Sequence, residues 1–532
     1  MKKSILIISF LFLLFGCKKK EEQNFSDLFL DETVITTFFK NHPESKAVQS
    51  EVNLFYQNRD YQYAWFNKGG MTEAVPNFYN QLQNYSDDFG DNSFKIAQLE
   101  ALINSINTDE NASKYNQKEN EQLELQLTAT FFKYSKKVYS GATKNPHQLD
   151  WFIPSKKKNY QSLLNSLIVK DEDDTTNEPI NKYYKNLRQK LREYRIIQDN
   201  GGFPKIVTDK KLLIEKESDS CLLNVKKRLF LSRDLKTNDK TILFTSDLAK
   251  AVSHFQQRLG LPENGKIDRA TLIELNRTVD FRIKQMIINL ERLRWLPLEV
   301  GDDYLVVNIP EYKLHVFESK KLIWEANVVV GKEAKRTSIF KGSISQIVLN
   351  PYWNIPNSII KEEILPKLKQ DASYLKKNNM ELVSGGEVVN ASKIKWSNYA
   401  TTIPFEVRQK PGSDNSLGKM KFLFPNGFNI YLHDTPSKEL FDRNKRDFSH
   451  GCIRVENPKK LALYLLRNDK DWKEEKIDEV LKTTTETKIA LKPKVPVYIT
   501  YFTAWVDHNG NLNFRNDIYN LDDKLAKEVF EK

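Results

Sequence analysis

The stretch Phe448-Ser-His-Gly-Cys-Ile-Arg-Val455 decides the reading of this chain, because it places a thiol, an imidazole and a guanidinium within a few positions of one another. A second histidine, His433, ends an apolar run shortly before it. The chain holds 3 cysteines and 7 histidines, so one cysteine and two histidines within 20 residues is a concentration of reactive side chains. This grouping indicates a nucleophilic site built on Cys452.

The chemistry of such a site follows from its residue types. The thiolate is the nucleophile, and a free thiol has a pKa of about 8.5, so a neighbouring base or cation is needed to generate it and is expected to lower that pKa. His433 can take the proton, oriented by Asp434 or by a backbone carbonyl beside it. Gly451 leaves room for a carbonyl to approach the sulfur, with nearby amides to hold an oxyanion. Arg454 favours the thiolate or binds a carboxylate.

Simpler interpretations stay open. Cys452 could be an inert core thiol, and His450 could satisfy a local hydrogen bond or position the loop instead of acting chemically. Zinc would need a set of four ligands, and no Cys-x-x-Cys or third close thiol or imidazole completes one. We therefore predict a site without metal or cofactor.

The arrangement resembles the catalytic motif of the L,D-transpeptidases of the YkuD type, in which a histidine precedes a Ser/Thr-His-Gly-Cys-x-Arg segment. Here 15 residues separate His433 from Ser449. The segments that extend the resemblance to the larger, YcbB-like members are Asn350–Pro356, Arg408–Gly412, Asn415–Gly418, Phe424–Asn426 and Tyr431–Pro436.

The resemblance implies a multidomain fold: a helical scaffold domain, a small all-helical peptidoglycan-binding-like module, and a mainly β (α+β) catalytic domain with a helical capping insertion. It also implies a set of catalytic residues, Cys452, His433, His450, Gly451 and Arg454. The residues implied to contact substrate are Trp353, Ser449, Asn350, Tyr431 and Asp434.

The implied reaction takes place on peptidoglycan stem peptides. The Cys452 thiolate would attack the carbonyl of the third residue of a tetrapeptide, expel D-alanine and form a thioester, which a neighbouring stem resolves into a 3→3 cross-link. Water as acceptor would make the enzyme an L,D-carboxypeptidase, and a lipoprotein acceptor is a further route. A carbapenem would acylate the same cysteine. The rival from another class is a non-catalytic wall-binding lipoprotein.

The N-terminus predicts export. Met1–Lys3 is basic, and Ser4–Phe15 is an apolar run of 12 residues, too short to span a bilayer. Gly16-Cys17 resembles a lipobox, so residues 1–17 are predicted to be a signal peptide that ends in lipidation of Cys17, with a membrane-anchored lipoprotein in the cell envelope or periplasm. Phe15 is unusual before the glycine, which leaves plain cleavage as the alternative.

Composition narrows the class of protein. A chain of 532 residues with 40% hydrophobic content predicts three or four packed domains rather than a disordered protein. The net charge of +12 suits anionic envelope polymers, since an exported chain does not meet nucleic acid. With so few cysteines no disulfide framework is expected, and Cys221 is predicted to be a buried spectator.

Period changes along the chain predict its domains. The predicted domain boundaries are 18–240 for the scaffold, 241–280 for the module, 281–300 for a linking helix, 301–520 for the catalytic domain with a capping insertion at 357–419, and 521–532 for a tail. The module is either a glycan binder or a purely structural spacer. Predicted helices are Gln122–Tyr139, two within Ser246–Asn276 with an Asp268 cap, Phe281–Leu296, Ser358–Lys369, Glu381–Ser397 and Pro458–Leu466.

Predicted strands lie mostly after residue 301. They are Leu305–Ile309, Lys313–Phe317, Lys321–Val330, Val495–Trp505, and a hairpin of Lys421–Phe424 with Phe428–Leu432. The hairpin is expected to deliver His433 to a sheet edge close to the loop that carries Cys452.

Overall fold

The computed structural model describes residues 26–107, 117–141, 143, 145–154, 158–169 and 180–531. The chain divides into two compact units. The first comprises the described parts of Met1–Ser135 and Asn159–Glu178, and the second those of Lys136–Lys158 and Pro179–Lys532. The described helices include none that is long and apolar enough to cross a membrane.

The first unit is helical, with one two-stranded ribbon. Its elements are α1 (Glu32–Asn41), α2 (Gln49–Gln57), β1 (Phe66–Asn67), β2 (Gly70–Met71), α3 (Ala74–Phe89), α4 (Ile96–Asn107), α5 (Gln117–Ser135) and α6 (Tyr160–Val169). The helix predicted over Gln122–Tyr139 is confirmed by α5 over most of its length. Leu123, Leu127 and Phe132 of α5 are fully or almost fully buried, so this helix forms the centre of the unit.

A polar group lies within that centre. The Glu124 carboxylate accepts hydrogen bonds from the amides of Ala64 at 2.6 Å and Trp65 at 2.9 Å and from the Tyr56 hydroxyl at 2.7 Å. Burial raises the pKa of Glu124 to about 7, although these hydrogen bonds oppose the shift. The carboxyl therefore ties α5 to the chain that precedes β1.

The second unit begins with helices and ends in a large sheet. Its helices are α7 (Lys182–Asp199), α8 (Leu222–Leu231), α9 (Ser246–Leu259), α10 (Arg269–Leu275), α11 (Val279–Arg294), α12 (Asn357–Ile359), α13 (Leu365–Gln370), α14 (Tyr374–Lys377), α15 (Pro458–Leu465), α16 (Glu474–Leu481) and α17 (Leu521–Phe530). Its strands are β3 (Trp151–Phe152), β4 (Tyr304–Asn308), β5 (Lys313–Glu318), β6 (Lys321–Gly331), β7 (Ile339–Leu349), β8 (Trp353–Asn354), β9 (Met380–Ser384), β10 (Glu387–Val389), β11 (Glu406–Gln409), β12 (Met420–Leu423), β13 (Leu432–His433), β14 (Asp447–Ser449), β15 (Ile453–Val455), β16 (Thr487–Thr500), β17 (Ala504–Val506) and β18 (Leu512–Phe514).

The helical module matches its prediction. α9 and α10 flank the turn at Gly260, which adopts φ 66°, and Asp268 caps α10 by accepting from the Thr271 amide at 2.8 Å. Val252 and Phe255 of α9 are buried. The helical N-terminal region, the small helical module and the mainly β C-terminal domain are thus confirmed as fold classes.

The main sheet closes on itself. Its strand order is β12-β13-β15-β6-β5-β4-β16-β7, and β7 pairs in turn with β12. β3 adds to β7 by parallel pairing of Trp151 with Ile339, although Trp151 lies within the range predicted for the scaffold. Closure gives β13 a partner on each side, β12 and β15. The expectation that His433 lies at a sheet edge is therefore wrong.

The hairpin before His433 is confirmed, with a longer turn than predicted. The predicted second strand starts at Phe428, whereas β13 starts at Leu432. The Asn426 side chain explains the difference: its amide donates to the carbonyls of Phe424 at 2.7 Å and Ile430 at 2.8 Å, and its oxygen accepts from the Phe428 amide. These local bonds replace ladder bonds and extend the turn.

The segment at 357–419, called the insertion from here on, has its own apolar core around Leu365, Leu368 and Trp396. The helix predicted over Ser358–Lys369 is confirmed as α12, a π-helical turn and α13. The helix predicted over Glu381–Ser397 is wrong, because β9 and β10 form a hairpin there. Gly385 and Gly386 adopt φ 58° and 90° and allow the tight turn that a helix would not contain.

The C-terminal part completes the sheet. The strand predicted over Val495–Trp505 belongs to β16, which starts at Thr487, and to β17. Residues predicted as a tail form α17, in which Leu521 and Leu525 are buried. α15 confirms the helix predicted after the cysteine.

Candidate active site

The turn that carries Cys452 is held by Ser449. The Ser449 hydroxyl donates to the Cys452 carbonyl at 2.6 Å and accepts from the Gly451 amide at 3.1 Å. Gly451 adopts φ 116°, a conformation that side chains disfavour. Ser449 is 3% exposed and occupied by these bonds, so its predicted role in substrate contact stays a prediction while its role in the turn is visible.

The same turn is anchored from its other side by residues that sequence reasoning missed. The Thr337 hydroxyl donates to the Gly451 carbonyl at 2.8 Å. The Tyr519 hydroxyl accepts from the Thr337 amide at 3.3 Å and donates to the Gly331 carbonyl at 2.5 Å. Threonine and tyrosine hydroxyls far apart in sequence carry no pattern that would have revealed them.

Strand register brings the predicted residues together. β13 and β15 run parallel, with His433 opposite Arg454, and the Ile453 amide donates to the Tyr431 carbonyl at 3.1 Å. Because side chains alternate along a strand, Tyr431, His433, Cys452 and Arg454 share one face of the closed sheet. Cys452 is next to Tyr431 and diagonal to His433.

His433 is held in one tautomer. Its Nδ1 donates to the Asp434 carbonyl at 2.5 Å, so the backbone carbonyl, and not the Asp434 carboxylate, is the orienting partner. A carbonyl can only accept, so Nδ1 carries the hydrogen and Nε2 is left as a proton acceptor. Burial, and then the positive charges of Arg454 and Lys421, lower the pKa of His433 to about 3. His433 is therefore a neutral imidazole at neutral pH.

Cys452 is also neutral at rest. Its thiol donates to the Asn429 carbonyl at 3.6 Å. Burial raises the pKa of Cys452, although hydrogen bonds with Tyr431 and the cations Lys421 and Arg454 oppose the rise. The expectation of a lowered thiol pKa is therefore wrong: desolvation outweighs the neighbouring charges, and the site holds a thiol beside a base rather than a thiolate–imidazolium pair.

Two predicted substrate contacts flank the thiol. Burial, followed by interactions with Cys452, raises the pKa of the Tyr431 phenol, while a hydrogen bond with Trp353 opposes the rise. The rings of Tyr431 and His433 lie 5.7 Å apart. Trp353 is half-buried in β8, where it pairs with Gln409. An indole, a phenol and an imidazole thus line the approach to the sulfur.

Asp434 and Asn350 are engaged in structure. The Asp434 carboxylate accepts from the amides of Lys419 and Thr435 and pairs with Lys438. The Asn350 amide donates to the Val480 carbonyl at 2.7 Å, and the side chain is 4% exposed. Their predicted contact with substrate stays a prediction.

Comparison with known proteins identifies the domain that carries this site. Residues 302–498 match the family YkuD, described as the L,D-transpeptidase catalytic domain. The chain carries an L,D-transpeptidase catalytic domain. Residues 50–191 match the family described as "Scaffold domain", and residues 231–275 match the one described as "Putative peptidoglycan binding domain".

A Haemophilus influenzae protein named "Putative L,D-transpeptidase" is 37% identical over 246 residues, which is 46% of this chain and 49% of that protein. The chain thus matches about half the length of that relative. An L,D-transpeptidase from Mycobacterium smegmatis is 12% identical, with a TM-score of 0.20 over 38% of this chain and 61% of the other. One from Stackebrandtia nassauensis is 12% identical, with a TM-score of 0.22 over 55% and 97%. TM-scores of this size do not establish a shared overall fold.

His450 connects the turn that carries Cys452 to the insertion. Its Nε2 lies 2.9 Å from Glu363 Oε1, and the neighbouring Glu362 accepts from Lys335 at 2.5 Å. Both acids belong to the π-helical turn of the insertion. This contact favours the positioning interpretation of His450, whose part in the chemistry stays a prediction.

Lys421 is a further residue of this site that sequence reasoning missed. It stands opposite His433 in the β12–β13 pair, so its side chain shares the face of Cys452. Its Nζ lies 4.0 Å from the centroid of the Tyr431 ring. The only signal in the sequence was a lysine at the start of a predicted strand, which is common at solvated positions.

Within the described residues, no group of three or more His, Cys, Asp and Glu side chains is placed to hold a metal ion. Cys17, the predicted lipidation site, lies outside the described residues. Cys221 is buried, as predicted, and burial raises its pKa to about 12, with Asp219 adding to the rise. Of the two described cysteines, Cys452 is the one beside a base.

Proposed function

We propose that the protein is an L,D-transpeptidase that forms 3→3 cross-links between peptidoglycan stem peptides through a thioester on Cys452. The observation that carries this proposal is the His433 tautomer: Nε2 is free of hydrogen and lies on the same face as the thiol. The catalytic-domain and peptidoglycan-binding family matches support an activity on peptidoglycan in the cell envelope.

The proposed first step needs no preformed thiolate. As the sulfur attacks the carbonyl carbon of the third residue, the thiol proton moves to Nε2 of His433 and a carbon–sulfur bond forms. The tetrahedral intermediate then collapses, and the protonated imidazole gives its proton to the amine of the departing D-alanine. The amine of a second stem then attacks the thioester carbon and transfers a proton to His433. The carbon–sulfur bond breaks as the new amide forms, and His433 returns the proton to the sulfur, which restores the thiol.

The oxyanion of the tetrahedral intermediate needs a hydrogen-bond donor, and the bonds within the turn that carries Cys452 narrow the choice of backbone amide. The Gly451 amide already donates to Ser449. We assign the Cys452 amide to the oxyanion and leave Gly451 the task of holding the turn open. Arg454, whose buried Nε lacks a hydrogen-bond partner among the described residues, is suited to a substrate carboxylate.

The insertion is proposed to act as a cap over the donor stem. Trp353 belongs to the small sheet that the insertion completes, and it also bonds with Tyr431 beside the thiol. The pairs His450–Glu363 and Lys335–Glu362 attach the insertion to the rim of the site. Movement of the insertion would therefore move part of the lining of the cleft.

The remaining assignments complete the proposal. Lipidation of Cys17 would hold the protein at a membrane of the envelope, and residues 241–280 would bind glycan. Mass spectrometry of the exported protein tests the first, since a free N-terminus without acyl chains contradicts it. Co-sedimentation of the full chain with purified peptidoglycan, in the presence and absence of soluble glycan fragments, tests the second.

The decisive experiment incubates purified peptidoglycan with the wild type, Cys452→Ala and Cys221→Ala, and sorts the digested muropeptides by mass. Dimers joined 3→3 are expected from the wild type and Cys221→Ala and not from Cys452→Ala. Tripeptides without new dimers would identify an L,D-carboxypeptidase. Unchanged muropeptides together with no carbapenem adduct on Cys452 would contradict an enzyme and leave the wall-binding lipoprotein.

A further inference from the structure

Lys421 lies on β12, between β13 and β7, on the face of the closed sheet that carries Cys452. It pairs with His433 across β12–β13 and with Val348 across β12–β7, and Val348 in turn faces Lys488 on β16. Cys452 lies on the same face, beyond Tyr431. The lysine is thus fixed by the closed sheet and not by a flexible loop.

The surroundings of Lys421 lack an acidic partner. Its Nζ lies over the Tyr431 ring at 4.0 Å, and among the described residues it makes no hydrogen bond and no ion pair. After Cys452, the acid whose charge most favours the Lys421 ammonium is Glu486. Glu486 accepts from the Tyr352 amide at 3.0 Å and pairs with Lys488 at 3.4 Å, so it is engaged elsewhere.

A half-buried ammonium without a carboxylate is costly unless an anion forms beside it. Burial lowers the pKa of Lys421, and the charge interaction with the Cys452 sulfur is the largest influence in the opposite direction. Arg454, the other cation that acts on the Cys452 sulfur, interacts more strongly with Glu439 than with the sulfur. Of these two cations, Lys421 has the larger effect on Cys452, and no carboxylate pairs with it among the described residues.

We propose that Lys421 stabilises the negative charge that develops on the Cys452 sulfur when His433 accepts its proton. The proton moves from sulfur to Nε2, the electron pair stays on sulfur, and the ammonium keeps all its hydrogens. This inference rests on the proposed function for its place in catalysis, but the ionisation of Cys452 can be measured without any peptidoglycan.

The test is the rate of Cys452 alkylation by iodoacetamide against pH, followed by mass spectrometry on the peptide that carries Cys452. Lys421→Met should shift the profile upward by about one pH unit, which is about tenfold slower alkylation at pH 7. Lys421→Arg should lie close to the wild type. Lys341→Met is the matched control, because Lys341 also lies over a tyrosine ring, Tyr498, at 5.2 Å, away from the cysteine.

Other groups that face Lys421 also titrate or carry charge, namely His433, Tyr431, Cys452, Arg454, Glu486 and Lys488. The comparison of Lys421→Met with Lys421→Arg isolates the ammonium, since both variants keep those groups. Coincident profiles for Lys421→Met and the wild type would overturn the proposal.

A second measurement does not depend on the folding of a variant. Anionic iodoacetate and neutral iodoacetamide are compared on the wild type, with free cysteine as the reference. Positive charge beside the sulfur should raise the ratio of the iodoacetate rate to the iodoacetamide rate above the ratio for free cysteine. A ratio at or below that of free cysteine overturns the proposal. If Lys421→Met shifts the alkylation profile but the wild type leaves the muropeptides unchanged, the proposed role of Lys421 stands and the transpeptidase function is refuted.

Discussion

The closed sheet holds two histidines in opposite electrostatic settings. His433 on β13 is 5% exposed and faces the cations Lys421 and Arg454, and its pKa is lowered to about 3. His315 on β5 lies between Glu311 at 2.9 Å and Glu325 at 2.8 Å. The charges of those two acids raise the pKa of His315 to about 9, in spite of its burial.

The contrast shows that burial alone does not set the direction in which the pKa of a histidine shifts. Desolvation disfavours the imidazolium in both places, but the two carboxylates around His315 overcome it, whereas the cations around His433 add to it. His315 is a structural cation, and His433 is a neutral imidazole whose Nε2 carries no proton. The sign of the neighbouring charge therefore separates the histidine proposed as the base from the structural one.

The largest effect is expected when the imidazole of His433 is removed. His433→Ala should lower the rate of acylation of Cys452 by a tetrapeptide by about 10² to 10⁴, because the thiol loses its proton acceptor. The measurement is single-turnover acylation followed by intact-protein mass. His315→Ala is the matched control: its acylation rate per folded molecule should stay near the wild type, and equal losses in both variants would refute the contrast.

A smaller effect concerns stability against pH. His315 has a folded pKa of about 9 against an ordinary value of 6.5, so the folded state binds the extra proton. The resulting stabilisation, at most about 3 kcal/mol, is present below pH 6.5 and lost as pH rises through 9. His433, with a folded pKa of about 3, makes stability fall as pH drops below 6.5. Denaturant titrations of the wild type and His315→Gln should differ between pH 6.5 and 9, and parallel curves would contradict the pairing.

Glu124 in the first unit is a further buried titratable group, and it is an acid instead of a base. Its folded pKa of about 7 exceeds the ordinary value of 4.5, so the folded state holds the proton more tightly, and stability falls as pH rises from 4.5 through 7, by at most about 3 kcal/mol. The hydrogen bonds from the amides of Ala64 and Trp65 already oppose part of the rise in pKa that burial causes. Glu124→Gln should flatten that slope. Thermal unfolding of both proteins at pH 5 and pH 8 measures it, and an unchanged difference would refute the assignment.

The smallest effect sharpens the role of charge at the rim of the site. The pairs His450–Glu363 and Lys335–Glu362 are partly exposed, so each is worth about 0 to 1 kcal/mol. Glu362→Gln with Glu363→Gln should change the KM for the donor stem by less than about tenfold and leave acylation at saturation unchanged. Glu387→Gln, an exposed residue of β10, serves as the control. A large fall in the saturated rate would mean that these acids act on the chemistry.

The sequence was informative where function is local and less so where strands pair at a distance. The sequence predicts Cys452 and His433 as the reactive pair from one motif and one hairpin, but it leaves open whether Asp434 or a backbone carbonyl beside it orients His433. Closure of the sheet, the register that places Lys421 opposite His433, and the pairing of β3 with β7 depend on residues far apart in sequence, which no periodicity specifies. The raised pKa of Cys452 depends on burial, which the motif does not encode.

The contact of Tyr519 with Thr337 and Gly331 has a consequence for how the protein matures. Thr337 holds the carbonyl of Gly451 beside the nucleophile, so residues near the very end of the chain complete the support of a turn formed much earlier in the sequence. Because Thr337 and Tyr519 are far apart in sequence, the turn gains this support only after the segment that carries Tyr519 has been synthesised and packed. A chain cut short before Tyr519 would keep its thiol and lose this support for the turn.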